Sequence, residues 1–184
     1  MEEKTFIEQE LFTAEDCDWL LAQAGEFEPS KVGYANSKED AALRSAKINS
    51  KDRISEQCDM GQPKGELYDF LFNKLKPLNL INLDNSFIGF VRYHEGGFFT
   101  KHVDGPERAY TIIIQLSEEN EYTGGDLVVL SQVISKVKGN TVIFGTQVPH
   151  ELKKVTSGTR NALVIWVDNS SVVEGVEYVN KSLL

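Results

Sequence analysis

The sequence predicts a mainly β protein with flanking helices, and three observations carry this prediction. After Asn85 the chain contains short runs rich in β-branched and aromatic residues, which are typical of strands. The turn-forming segments EGG, TGG, KGN and TSGT separate these runs, and the helical patterns lie before residue 80. Short strands without intervening helices indicate a double sheet or jelly roll, so we expect a double-stranded β-helix core with helices packed outside it. The runs are SFIGFVRY, YTIIIQL, DLVVLS, NTVIFG and NALVIWV.

Two helices are predicted in the N-terminal part of the chain. Thr13 is a good N-cap, acidic residues follow it in the first turn, and Gly25 offers a stop. A second helix is predicted from about Gly65 to Leu75, because leucines and a phenylalanine recur there at helical spacing and Pro77 prevents continuation. Both helices are interpreted as packing elements.

Length, composition and net charge limit the classes of protein to which the sequence can belong. A chain of 184 residues with 41% hydrophobic content predicts one domain, with helical support over about residues 1–80 and a β core over about 86–170. The net charge of −9 argues against a surface that tracks nucleic-acid phosphates. The sequence has no signal-like N-terminus and no long apolar run, so we expect a soluble, cytoplasmic protein. Cys17 and Cys58 are too few for a disulfide framework.

A candidate metal site lies in the stretch YHEGGFFTKHVD. Residues two apart in a strand project from one face, so His102 and Asp104 would aim an imidazole and a carboxylate at one point. His150 follows the strand-like run NTVIFG, which could fold back beside the first ligands; we expect it to reach in from the opposite sheet. Two histidines and one carboxylate with open positions form the arrangement used by non-haem Fe(II) oxygenases, although such a triad also suits Mn(II) or Zn(II).

Arg160 is the candidate anion-binding residue. It follows His150 by ten positions and opens the apolar run NALVIWV. A guanidinium pointing inward from a strand must be paired, and its fork of donors matches a carboxylate. A solvent-facing charge after the SGT turn is the alternative.

The run from Tyr93 to Trp166 resembles the 2-oxoglutarate- and Fe(II)-dependent oxygenases, in particular their prolyl 4-hydroxylase-like branch. The matching pieces are RYHEGGFFTKHVD, YTIIIQLS, TGGDLVVL and KGNTVIFGTQVPHELKKVTSGTRNALVIWV, which cover roughly the C-terminal half of the chain. The resemblance implies the same double-stranded β-helix, cupin-like fold, with Fe(II), 2-oxoglutarate and O2 as cofactor and cosubstrates and ascorbate as a possible further requirement.

The resemblance also implies roles for individual residues. His102, Asp104 and His150 fall on the metal triad of the family, and Arg160 falls on its 2-oxoglutarate-binding residue. Four further positions match residues around the cosubstrate or the pocket, although Tyr93 is equally compatible with a strand aromatic and Trp166 with a core residue. These positions are Tyr93, Thr111, Leu127 and Trp166.

The substrate implied by the resemblance is a peptidyl proline, with a free amino acid or small metabolite as the alternative. Collagen-type relatives usually carry Lys where this chain has Arg160, which weakens any inference about collagen-like repeats. Arg44 and Ser45 resemble a pair near a substrate loop of prolyl hydroxylases, and a solvated loop is the other reading. Two other classes stay open: a non-enzymatic, cupin-like binding module, and a nucleic-acid dealkylase, which the acidic composition disfavours.

Overall fold

The computed structural model describes residues 6–33, 47–78 and 83–168 of the chain. Within these residues thirteen strands form two antiparallel sheets, and two α-helices pack against one of them. In chain order the strands are β1 (Phe6–Glu10), β2 (Glu28–Pro29), β3 (Arg53–Ile54), β4 (Glu56–Gly61), β5 (Ser86–His94), β6 (Phe98–His102), β7 (Arg108–Gln115), β8 (Tyr122–Gly124), β9 (Leu127–Val129), β10 (Gln132–Val133), β11 (Asn140–Gly145), β12 (His150–Leu152) and β13 (Val155–Asp168).

The two sheets differ in size and in what they carry. The major sheet has the spatial order β1, β11, β7, β13, β5, β4 and β2, and β8 pairs with β13 beside this path. The minor sheet has the order β10, β9, β12, β6 and β3. The mainly β prediction is confirmed, and the topology is that of a double-stranded β-helix.

Both faces of the central strands β7 and β11 of the major sheet are buried, which explains why these strands are largely apolar. On β7, Ile112 and Ile114 face the helices, whereas Thr111 and Ile113 face the space between the sheets. On β13 the same alternation turns Leu163 toward the helices. The period of two in side-chain direction therefore leaves the inner face of the central strands available for polar residues.

The helices α1 (Ala14–Ala22) and α2 (Gly65–Leu75) lie close to where the sequence predicts them. Thr13 forms a capping box with Asp16, which satisfies free N–H groups of the first turn. The first helix ends before Gly25, at a C-cap on Gln23. The second ends in a short 3₁₀ turn, Lys76–Leu78, that includes the predicted stop Pro77. Leucines of both helices share one core with the major sheet.

Two sequence segments behave differently from the prediction. The segment TSGT lies inside β13, and Gly158 there adopts φ +75°, where an added Cβ would lie 2.1 Å from the carbonyl oxygen of Glu121. The run DLVVLS stops as a strand at Val129, because Leu130 and Ser131 have positive φ angles. TSGT is therefore not a turn between strands, as predicted, and DLVVLS is not a strand over its whole length. No helix of the described ranges is both long and apolar enough to cross a membrane.

Candidate metal centre

Three potential metal ligands meet at one end of the minor sheet. His102 is the last residue of β6, and its Cα partner in the sheet is His150 at the start of β12. Asp104 lies two residues beyond β6, where its backbone N–H donates to the Thr146 carbonyl at 2.9 Å. The Oδ1 atom of Asp104 lies 3.9 Å from His102 Nε2 and 4.0 Å from His150 Nε2. The ligand atoms of all three residues lie within 4.8 Å of one another.

The expectation that His150 reaches in from the opposite sheet is wrong. The run NTVIFG forms β11 of the major sheet, but the chain then turns at Gly145, whose carbonyl accepts from the Val148 N–H at 2.9 Å. The chain crosses there to the minor sheet and starts β12 with His150 directly beside His102. The two histidines are therefore cross-strand neighbours, which is the closest placement that a sheet offers to two side chains.

Hydrogen bonds orient both imidazoles. His102 Nδ1 lies 2.7 Å from the Thr100 carbonyl oxygen, and His150 Nδ1 lies 3.0 Å from that of Val148. Because a carbonyl can only accept, each Nδ1 carries the proton and each Nε2 presents its lone pair to the cavity. Burial, reinforced by the neighbouring His150, lowers the pKa of His102 from 6.5 to about 4. His102 is thus neutral near pH 7, as a metal ligand must be.

Neighbouring side chains hold the three ligands in place. The hydroxyl of Thr111 donates to Asp104 Oδ2, which leaves Oδ1 facing the histidines. The Phe99 ring stacks on His102 with a centroid separation of 3.6 Å, and the Phe144 ring lies 4.6 Å from that of His150. Such packing fixes the ring orientations before any ligand binds.

The donor set fits a divalent transition metal. Two neutral imidazole nitrogens and one carboxylate oxygen, all on one side of a cavity, match the facial arrangement that leaves positions open for other ligands. Bonds of about 2.1 Å to one ion, at angles of about 90–110°, place ligand atoms about 3.0–3.4 Å apart, so the separations of 3.9 and 4.0 Å from Asp104 Oδ1 would have to shorten by about 0.5–1 Å. The described residues contain no other cluster of this kind.

The ligands open onto a cavity between the two sheets. Its volume is about 510 Å³, counted to the open mouth, and Arg160 lies on its wall opposite the minor sheet. Arg160 sits within β13, paired in register with Tyr93 of β5, and not at the beginning of a strand as its sequence position suggested. The cavity thus has a metal-binding end on one sheet and a cationic end on the other.

Arg160 has no anionic partner in the part of the chain that the structure describes. The residue is only 4% exposed, and the Tyr93 ring centre lies 5.9 Å from its guanidinium carbon. Because burying an uncompensated charge is costly, Arg160 is a candidate for binding an anion that enters the cavity. A carboxylate is the group that the guanidinium fork fits best.

The other predicted positions divide into three groups. Tyr93, Thr111, Leu127 and Trp166 all line the same cavity. His94, the remaining histidine of the sequence, lies apart from the cavity, with its ring nitrogens 3.0 Å from Thr159 Oγ1 and 3.2 Å from Glu56 Oε2. Arg44 and Ser45 lie outside the described residues.

Arg53 is a cavity residue that the sequence reasoning missed. It opens β3 and lines the cavity beside His102, although it lies 49 positions before it in the chain. A signal exists in the sequence: in RISEQC the polar residues Arg53, Ser55 and Gln57 alternate, which places them on one face of an extended segment. Their hydrogen bonds to one another agree with that reading.

The sequence of the β core matches a known family. Residues 88–168 match the 2OG-Fe(II) oxygenase superfamily. A PKHD-type hydroxylase of Shewanella oneidensis is 30% identical over 99 residues, covering 47% of this chain and 44% of that protein. A PKHD-type hydroxylase of Acaryochloris marina is 33% identical over 89 residues, covering 44% and 41% respectively. The chain thus matches less than half the length of these curated relatives.

Solved structures share the fold over most of the chain. A prolyl-4-hydroxylase of Pseudomonas putida superposes with a TM-score of 0.66 at 18% identity, covering 89% of this chain and 92% of that one. A viral collagen prolyl hydroxylase from Paramecium Bursaria Chlorella virus-1, solved as a 2OG complex, gives 0.63 at 20% identity, with coverages of 90% and 96%. A prolyl hydroxylase of Trichoplax adhaerens, solved with a hypoxia inducible factor peptide fragment, gives 0.64 at 17%, with 90% and 84%.

Proposed function

We propose that this protein, whose residues 88–168 carry the sequence of a 2OG-Fe(II) oxygenase domain, is a 2-oxoglutarate-dependent hydroxylase. One observation carries the proposal: the His102, Asp104 and His150 cluster shares a cavity with the buried guanidinium of Arg160, which forms no ion pair with any described residue. A dicarboxylate with one end on a metal and the other on arginine is the ligand that such a cavity suits. We also propose that the chain works as one domain, because both helices share a core with the sheet that carries Arg160.

The residues divide the binding work as follows. His102, Asp104 and His150 hold Fe(II), and Arg160 pairs with the far carboxylate of 2-oxoglutarate. The Tyr93 hydroxyl supports the same carboxylate. Thr111 keeps the Asp104 carboxylate oriented, and Leu127 and Trp166 supply apolar walls that exclude water from the cosubstrate.

When bound, Fe(II) and 2-oxoglutarate supply the oxidising chemistry: O2 is consumed, 2-oxoglutarate becomes succinate and CO2, and one oxygen atom enters a substrate C–H bond. The protein contributes position and charge. The Thr100 and Val148 carbonyls hold the two imidazoles with Nε2 toward the cavity, and the cationic end of the cavity orients the cosubstrate.

The preferred substrate is a proline residue within a peptide. A groove next to the metal cluster is open to solvent and shares His102, Asp104 and Trp166 with the cavity, so a chain could lie across it. The fold neighbours are named as prolyl hydroxylases, and one was solved with a peptide fragment. A free amino acid or small metabolite is the second candidate, since the groove does not itself require a long ligand.

The test of the activity is formation of succinate from 2-oxoglutarate on addition of Fe(II) and O2. His102→Ala is expected to abolish it, because it removes one of three ligands. His94→Ala is the matched control, since His94 lies on the exposed side of β5 with Glu56 and Thr159, and it should retain turnover. Equal turnover in the two variants would disprove the ligand assignment, and no succinate in the wild-type protein would favour a binding module.

The substrate is tested separately by mass spectrometry. A panel of proline-containing peptides is incubated with the protein, Fe(II) and 2-oxoglutarate, and products are searched for the gain of one oxygen atom on proline. Oxygen gain on free amino acids, without any on the peptides, would replace the peptidyl substrate by the metabolite alternative.

A further inference from the structure

Arg53 is a second buried arginine near the metal cluster. It is 7% exposed, yet it lines both the metal cavity and the open groove, so its side chain lies at the passage between them. Its guanidinium carbon lies 4.7 Å from the centre of the Phe99 ring, and that same ring stacks on His102. Arg53 is therefore held next to the place where a substrate must approach the metal.

Among the described residues, the groups that contact the Arg53 guanidinium are neutral. Its Nε donates to Ser55 Oγ at 2.7 Å, and its Nη2 donates to Gln57 Oε1 at 3.1 Å. The amide of Gln57 in turn donates to Asp59. No carboxylate of the described ranges forms an ion pair with Arg53, which lines both the cavity and the groove and has further N–H donors to offer a ligand there.

The surrounding charges do not compensate Arg53 either. In the proposed function, a divalent metal, Asp104, the 2-oxoglutarate dianion and Arg160 sum to zero. Arg108 lies 3.6 Å from Glu107, Glu151 on the cavity wall is paired with Lys153 at 2.9 Å, and the groove-lining residues Lys31 and Asp59 have opposite signs. Among the described residues, one positive charge at Arg53 remains, in a chain whose net charge is −9. A buried cation that is preorganised by two hydrogen bonds and a ring is suited to bind an anion.

We propose that Arg53 binds a carboxylate of the substrate, so that the preferred target C–H bond lies close to an anionic group. This inference rests on the proposed function, because it assigns the groove to substrate. The carboxylate comes either from an aspartate or glutamate side chain beside the target residue or from a terminal α-carboxylate, and the two sources share the same chemistry.

Matched probe pairs distinguish these sources. Acetyl-Glu-Pro-amide is compared with acetyl-Gln-Pro-amide, and acetyl-Pro-Glu-amide with acetyl-Pro-Gln-amide, for a side-chain carboxylate. Acetyl-proline is compared with acetyl-proline-amide for a terminal one. Affinities are measured by calorimetry under argon, with Mn2+ and saturating 2-oxoglutarate, so that the readout does not depend on turnover. Saturating 2-oxoglutarate keeps a charged probe from binding at Arg160 in place of the cosubstrate.

For at least one pair, the charged probe should bind the wild-type protein about tenfold or more tightly than the neutral probe, as expected for a charge-assisted hydrogen bond. Arg53→Gln should remove that preference, and Arg53→Lys should retain part of it, because lysine keeps the charge without the fork. Arg92→Gln is the control: Arg92 bonds Asn161 at 3.1 Å and covers Phe27, outside both cavities, so its preference should equal the wild-type value.

The outcomes separate the two proposals. Equal affinities within every pair, with succinate formation intact, would overturn carboxylate recognition and leave the hydroxylase assignment standing. A charge preference that persists in Arg53→Gln would also overturn it. A preference that depends on Arg53 in a protein that forms no succinate would support carboxylate recognition and contradict the hydroxylase assignment. Should Arg53→Gln fail to fold, the wild-type probe pairs and Arg53→Lys still decide the question.

Discussion

Replacing Arg160 by methionine should change the free protein and its cosubstrate complex in opposite directions. In the free protein the guanidinium is buried without a described partner, so methionine removes an uncompensated charge while keeping similar volume. Substitutions of this kind stabilise by about 1–4 kcal/mol. Taking about 2 kcal/mol, the unfolding midpoint should rise by about 4–8 °C for a chain of this length.

The complex should lose affinity instead. The variant loses two charge-assisted hydrogen bonds to a carboxylate, at about 1.5 kcal/mol each. The total of about 3 kcal/mol corresponds to a roughly 150-fold larger dissociation constant for 2-oxoglutarate. The two effects would have one cause, because the charge expected to destabilise the free protein is the charge proposed to bind the cosubstrate.

Urea and thermal unfolding of the metal-free protein measure its free energy of unfolding and its unfolding midpoint. Calorimetric titration with 2-oxoglutarate measures the dissociation constant. Arg92→Met serves as the control, since Arg92 bonds Asn161 away from the cavity, and it should leave the affinity for 2-oxoglutarate unchanged. An Arg160→Met protein that is less stable than wild type without ligand, or that binds 2-oxoglutarate within threefold of wild type, would refute the reasoning.

Three further predictions concern the ligands and the core. Thr111→Val removes the hydroxyl that donates to Asp104 and should weaken Mn2+ binding about 10–100-fold by calorimetry; an unchanged affinity would show that Asp104 needs no such support. As pH falls from 6.5 to 4, unfolded His102 binds a proton that folded His102, with its pKa lowered to about 4, does not. The metal-free protein should therefore lose about 3 kcal/mol of unfolding free energy across that window in urea titrations, and His102→Gln should flatten this dependence rather than reproduce it. Leu71→Ala opens space in the fully buried core between α2 and the major sheet and should cost about 2–5 kcal/mol in urea unfolding, whereas a cost under 1 kcal/mol would mean that the site collapses.

Local chemistry made much of the fold predictable. The Thr13 cap and the Pro77 stop act within a few residues of the helix ends that they set, so the sequence displays them directly. The major strands are visible because burial on both faces requires continuous apolar runs. The resemblance to the 2-oxoglutarate oxygenases, confirmed over residues 88–168, extends the prediction to the double-stranded β-helix and to the use of Fe(II), 2-oxoglutarate and O2.

Relations between sheets were harder to predict. The sequence shows that His150 follows a strand, but not that the chain changes sheet at Gly145 before reaching it. Arg53 was missed for a related reason: the alternation in RISEQC indicates which residues share a face, but the place of the two-residue strand β3 beside β6 comes from long-range pairing. Spacing in sequence identifies residues of suitable chemistry, whereas strand pairing decides which of them meet.

The division of the cavity between two sheets has a mechanical consequence. The histidines belong to the minor sheet and Arg160 to the major one, so a single small molecule bound to both would connect the two sheets. Its occupancy should stiffen strands beyond those that carry the ligands: backbone amides of β9, which pairs with β12, should exchange with deuterium more slowly once such a molecule is bound. The cosubstrate would then help to shape the surface that meets the substrate.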